Sequence, residues 1–96
     1  MNTQRRTLLE HRTTLEPSVV LDAARNFFST RNSLYAAFIE QEGPTHITMR
    51  GQGGEELVIA ATASPGGATL VTGSSYLFDA QISRFFAILP PAEVPA

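Results

Sequence analysis

Apolar side chains recur every three or four residues from Val20 to Phe28, then every second residue through most of Leu34 to Thr72, and return to the helical spacing near the C-terminus. In the first block Val20, Leu21, Ala24, Phe27 and Phe28 share one stripe, with Asp22, Arg25, Asn26 and Ser29 opposite. Glu16-Pro17-Ser18 supplies the start of this helix, because proline suits the first helical turn and Glu16 or Ser18 can satisfy free N–H groups there. The predicted span is Pro17 to Thr30. Gly73 to Leu89 forms the second helical block, with Phe78, Ile82, Phe85, Phe86 and Leu89 in one stripe, Ser74 or Ser75 as cap and Pro90-Pro91 as stop.

Between the helices, Leu34–Gln41, Thr45–Arg50, Glu56–Thr62 and Ala68–Thr72 read as strands. Glu42-Gly43-Pro44, Gly51-Gln52-Gly53-Gly54 and Ser64-Pro65-Gly66-Gly67 separate them with turn residues, so the strands follow one another as antiparallel hairpins. Residues 5–15 alternate as an edge strand with Leu9, His11, Thr13 and Leu15 on one side; a helix over Thr3 to Glu10 competes with that reading. The expected fold is α+β: an antiparallel sheet of four or five strands with two helices packed on one face, in the order β-α-β-β-β-β-α. Residues 1–96 are expected to form a single domain, with 1–4 and 91–96 as flexible or extended tails.

Under this pattern one sheet face carries Leu34, Ala36, Phe38, Ile47, Met49, Leu57, Ile59 and Leu70 and receives the helices. The opposite face carries Tyr35, Ile39, Val58 and Val71 among His46, Thr48, Arg50, Glu56, Ala60 and Thr69, and is more apolar than a solvated antiparallel sheet requires. Leu77 and Ile88 project off the main stripe of the last helix, beside Gln81 and Arg84. Tyr35, Ile39, Val58, Val71, Leu77, Arg84 and Ile88 are therefore the candidate interface.

Composition narrows the functions. Hydrophobic residues at 43% and charged residues at 17% describe a globular chain, and the low charge fits a surface partly covered by a partner or ligand. With no cysteine there is no disulfide, thiolate metal site or cysteine nucleophile. No apolar run reaches the roughly 18 residues of a membrane span, and no apolar core follows Met1 to Arg6, so a cytoplasmic location is expected. All seven basic residues are arginine, scattered along a chain of net charge -2, which argues against nucleic acid as partner. Arginine without lysine suggests the coding bias of a high-GC bacterium.

Candidate chemistry is thin. His11 and His46 stand apart with no metal-ligand spacing, so neither a metal nor a cofactor is expected. His46 can share a sheet face with Arg50 and Glu56, an acid–base grouping that ordinary cross-strand pairing explains equally well. Gly51-Gln52-Gly53-Gly54 joins two strands and is not followed by Gly-Lys-Ser/Thr, so it is a hairpin turn rather than a phosphate loop.

The stretch Leu9-Glu10-His11-Arg12-Thr13-Thr14-Leu15-Glu16-Pro17-Ser18-Val19-Val20, and Gly67-Ala68-Thr69-Leu70-Val71 followed by the amphipathic Phe78 to Leu89, resemble a shortened helix-grip domain of the START and polyketide-cyclase-like kind. A TBP-like or other two-layer α+β arrangement fits the same order. The helix-grip resemblance implies an apolar small molecule held between sheet and helices, lined by Phe38, Met49, Ile59, Phe78, Ile82 and Phe85. It carries over no catalytic residue. Two functions are thus expected: first a non-enzymatic interaction or structural subunit that associates with itself or with a larger protein assembly, and second a binder of an apolar ligand.

Overall fold

The computed structural model describes residues 7–28, 37–51, 56–64, 66–75 and 79–92. The order is β1 (Thr7–Thr13), α1 (Pro17–Asn26), β2 (Ala37–Glu42), β3 (His46–Gly51), β4 (Glu56–Ala63), β5 (Thr69–Ser75) and α2 (Asp79–Ala87), an α+β chain in the predicted sequence of elements. The five strands form one antiparallel sheet ordered β1-β5-β4-β3-β2. β2 to β5 make the expected meander, and the N-terminal segment is a strand that adds to its far side against β5.

The glycines of the β4–β5 turn are there for backbone reasons. Gly66 and Gly67 have φ of 89° and 87°, a region that side chains disfavour, while the Ser64 N–H closes the hairpin on the Ala68 carbonyl at 2.8 Å. The α1 start uses Pro17 at the first turn, and Glu16 holds the N-cap position without a side-chain bond; the Val20 N–H donates to its carbonyl at 3.0 Å. Helix α1 gives way at Asn26 to a looser turn at Phe27 and Phe28.

One face of the sheet receives both helices. Ile47 and Met49 of β3, Leu57, Ile59 and Ala61 of β4 and Val71 of β5 are fully buried with Val20, Leu21, Ala24 and Phe28 of the α1 segment and Ile82, Phe85, Phe86 and Leu89 of the α2 segment. Phe85 is the aromatic hinge of this core: its ring centroid lies 5.6 Å from Phe27, 5.4 Å from Phe28 and 6.2 Å from Phe86. On the other side of α2, Phe86 stacks on His11 of β1 at 5.3 Å, and His11 Nε2 donates to the Leu89 carbonyl at 3.3 Å. Helix α1 therefore sits over the middle of the sheet and α2 over its β1 side.

Three expectations need correction. Gly73 to Ser75 do not begin the last helix; they complete β5, paired with both β1 and β4. A Cβ at Gly73 would stand 2.6 Å from Ile82 Cγ2, so the missing side chain is what lets α2 lie against the strand. Val71 lies in the core with no exposure rather than on the outer face, and Leu70 takes the opposite side. Ile39 likewise packs against the core, opposite Met49, because a bulge between Ile39 and Gln41 resets the alternation of β2.

Candidate functional site

The outer face of the sheet is built from the strand positions that alternate with the core set. Register places Leu70 beside Thr62; Thr72 beside Ala60 and then His46; and Ser74 beside Val58 and then Thr48. These three rows carry no carboxylate or arginine, whereas the next row of the same face, Arg50 of β3 beside Glu56 of β4, carries both. The charges of the face stand at its ends and sides: the Arg50–Glu56 row at one end of β3 and β4, Glu40 on β2 bonded to Arg50, and Glu10 and Arg12 on β1. An uncharged centre with a charged margin is the anatomy of a protein contact surface.

The margin is held together by ion pairs. Arg50 grips Glu40, the residue at the bulge of β2, through Nε at 3.0 Å and Nη2 at 2.9 Å, a two-point contact. This hydrogen bonding holds the Glu40 carboxyl below its ordinary pKa and raises that of Arg50. On the helix side Arg25 joins Asp22 and reaches Glu42 at 2.7 Å and 3.0 Å, and the bonds to Asp22 and Glu42 raise its pKa. These pairs tie β2 to its neighbours in a chain whose apolar contribution there is Ile39.

Among the interface candidates, Val58 is half-buried on the outer face, and Arg84 and Ile88 are exposed on or just beyond α2. Tyr35 and Leu77 lie outside the described residues. Val71 and Ile39 belong to the helix side, and Gln81, expected beside Arg84, is buried. The structure does not bring the remaining candidates into one patch: Val58 lies on one side of the sheet, and Arg84 and Ile88 belong to the helix layer on the other. Of the ligand-lining candidates, Met49, Ile59, Ile82 and Phe85 have no exposure and pack in the common core. Phe78 and the side chain of Phe38 lie outside the described set.

His46 stands four residues from Arg50 along β3, which in a strand is about 13 Å. Its ring packs over Gly43, where a Cβ would come within 2.6 Å of Cε1, so its contacts are those of a hairpin side chain. His11 points to the core side, and no group of three or more metal-ligating side chains occurs among the described residues. No described helix is long and apolar enough to cross a membrane.

Sequence reasoning missed the return of the chain to β1. After α2 the Thr14 N–H donates to the Pro90 carbonyl at 3.3 Å and the Ala92 N–H to the Arg12 carbonyl at 3.0 Å, with Pro91 bridged to Thr13. This crossing frames an open groove of about 350 Å³ between Glu10, Arg12, Leu70, Pro91 and Ala92. The Pro-Pro stop gave no sign of strand pairing. Comparison with protein-family models, with curated proteins and with solved structures finds no match.

Proposed function

We propose that the protein is a non-enzymatic interaction or structural subunit that presents the outer face of its sheet to a protein surface, either another copy or a larger assembly. One observation supports the reading: the three successive rows Leu70–Thr62, Thr72–Ala60–His46 and Ser74–Val58–Thr48 are free of carboxylate and arginine, and the charges of the face are the end row Glu56–Arg50 and the β1 positions Glu10 and Arg12. Small and β-branched side chains make such a face flat, and desolvating it exposes no buried charge to a penalty. The flank of α2 at Arg84 and Ile88 then acts as a separate, secondary contact.

The test is Val58→Arg, which places a guanidinium at the middle of the face without touching the core. Sedimentation velocity over a concentration series, with and without co-purified protein, should show association lost while the circular-dichroism melt stays put. Association that survives the change, or a strict monomer with no partner, ends this reading.

The helix-grip alternative, an apolar ligand between sheet and helices, has less support. Met49, Ile59, Ile82 and Phe85 are packed against one another's neighbours with no exposure, so a ligand would have to displace core side chains. Native mass spectrometry that retains a small molecule would restore it.

A further inference from the structure

After α2 the chain crosses the end of β1 and is fastened there at successive points. Leu89 is buried in the core and its carbonyl accepts from His11 Nε2 at 3.3 Å; the Pro90 carbonyl accepts from the Thr14 N–H at 3.3 Å; the Ala92 N–H donates to the Arg12 carbonyl at 3.0 Å. Pro91 lies directly opposite Thr13 in an antiparallel bridge. The two prolines stiffen this course. A proline ring holds φ near about −65°, and the residue before a proline is pushed to extended backbone, so Leu89 and Pro90 have few other conformations to adopt.

Alternation decides what the segment shows on its far side. The Pro90 carbonyl and the Ala92 N–H both point at β1, so the backbone of Pro91 between them points away from it. Any other residue would offer an N–H there, the donor from which a further strand could start. Proline has none. At the opposite edge strand the chain uses other means: β2 is bulged between Ile39 and Gln41 and carries exposed Glu40, Gln41 and Glu42.

We propose that Pro90 to Ala92 is a strap that closes the sheet at this corner. It takes the outward backbone groups of Arg12 and Thr14 for the chain itself and, through Pro91, presents no donor to a strand of another molecule, so strand addition at this point is suppressed. The inference goes beyond the outer-face reading and does not depend on it: the strap acts on backbone groups in the plane of the sheet, and the face acts through side chains normal to it.

Hydrogen exchange read by NMR and sedimentation velocity, both on the whole chain, test the two halves of the proposal. The Thr14 amide should exchange slowly in the wild type, and Ala92→Pro, which deletes the donor to the Arg12 carbonyl, should speed it about tenfold or more. Pro91→Thr, at an exposed site, supplies an outward N–H and a strand-forming side chain without adding a large apolar group. It should leave Thr14 protected and the circular-dichroism melt in place, yet produce self-association beyond that of the wild type at about 100 µM. Adding Val58→Arg should not dissolve that extra association. A Thr14 amide that exchanges as fast in the wild type as in Ala92→Pro, or a Pro91→Thr chain no more associated than the wild type, overturns the proposal. Association of Pro91→Thr that Val58→Arg abolishes would place the new contact on the outer face and overturn it as well. A wild type that is strictly monomeric with no partner ends the outer-face reading alone, because the comparison of Pro91→Thr with that monomer still decides this one.

Discussion

Replacing Gly73 by alanine tests the packing that sets α2 on the sheet. The backbone of Gly73 is not in the positive-φ region, so alanine meets no conformational strain there and the cost is purely steric. The new Cβ would lie 2.6 Å from Ile82 Cγ2, 3.2 Å from Ile82 Cδ1 and 3.4 Å from Ile59 Cδ1. Carbon atoms settle at about 3.5–4.0 Å, so strand and helix must separate by about 1 Å at this point. Both isoleucines are fully buried, so any swing away from the new Cβ has to be taken up by core neighbours. Overpacking of this kind costs about 1–3 kcal/mol, and the stiffer unfolded chain returns about 0.4–1 kcal/mol, for a net loss of about 1–2 kcal/mol. In a domain of this size that lowers the melting midpoint by about 5–15 °C. Urea unfolding should show a lower midpoint at an unchanged slope. Ile82→Ala removes the clashing methyl at its own cost of about 2–5 kcal/mol, so the pair should be compensating, with the double variant losing clearly less than the sum. A Gly73→Ala variant within 0.5 kcal/mol of the wild type, or simple additivity, would refute the account of α2 seated directly on β5.

Two further changes probe the margin and the β1 side. Arg50→Gln should move the Glu40 carboxyl back up toward its ordinary pKa, read by carbon-detected NMR titration; a midpoint that stays low in the variant would remove Arg50 as the cause. Since the folded value is the depressed one, whatever stability this pair supplies is present above the ordinary glutamate range and is lost as pH falls through the folded value. His11→Ala removes both the stack on Phe86 and the bond to the Leu89 carbonyl, and should cost about 1–3 kcal/mol in urea unfolding, while His11→Phe, which keeps a ring, should cost less; equal losses would show that stacking contributes nothing.

The order of elements was legible because periodicity changes sharply at Leu34 and again after Gly73, and because each strand break carries glycine or proline. What escaped were phases and ends, for identifiable reasons. In Thr69 to Ser75 the core-side positions are Thr69, Val71, Gly73 and Ser75, so the buried face looks polar; its apolar bulk is supplied by Ile82 from the helix. Alternation therefore favoured Leu70 as the inward residue. In β2 the apolar residues Phe38 and Ile39 are adjacent, and the bulge that fixes the phase has no signature in composition. The Ser74-Ser75 pair resembled a cap because serine accepts from free N–H groups, yet Ser75 is fully buried in the strand and its hydroxyl reaches Asp79 at 3.4 Å. Of the candidate interface, Val58, Arg84 and Ile88 kept exposed or half-exposed positions, while residues whose side depended on phase did not.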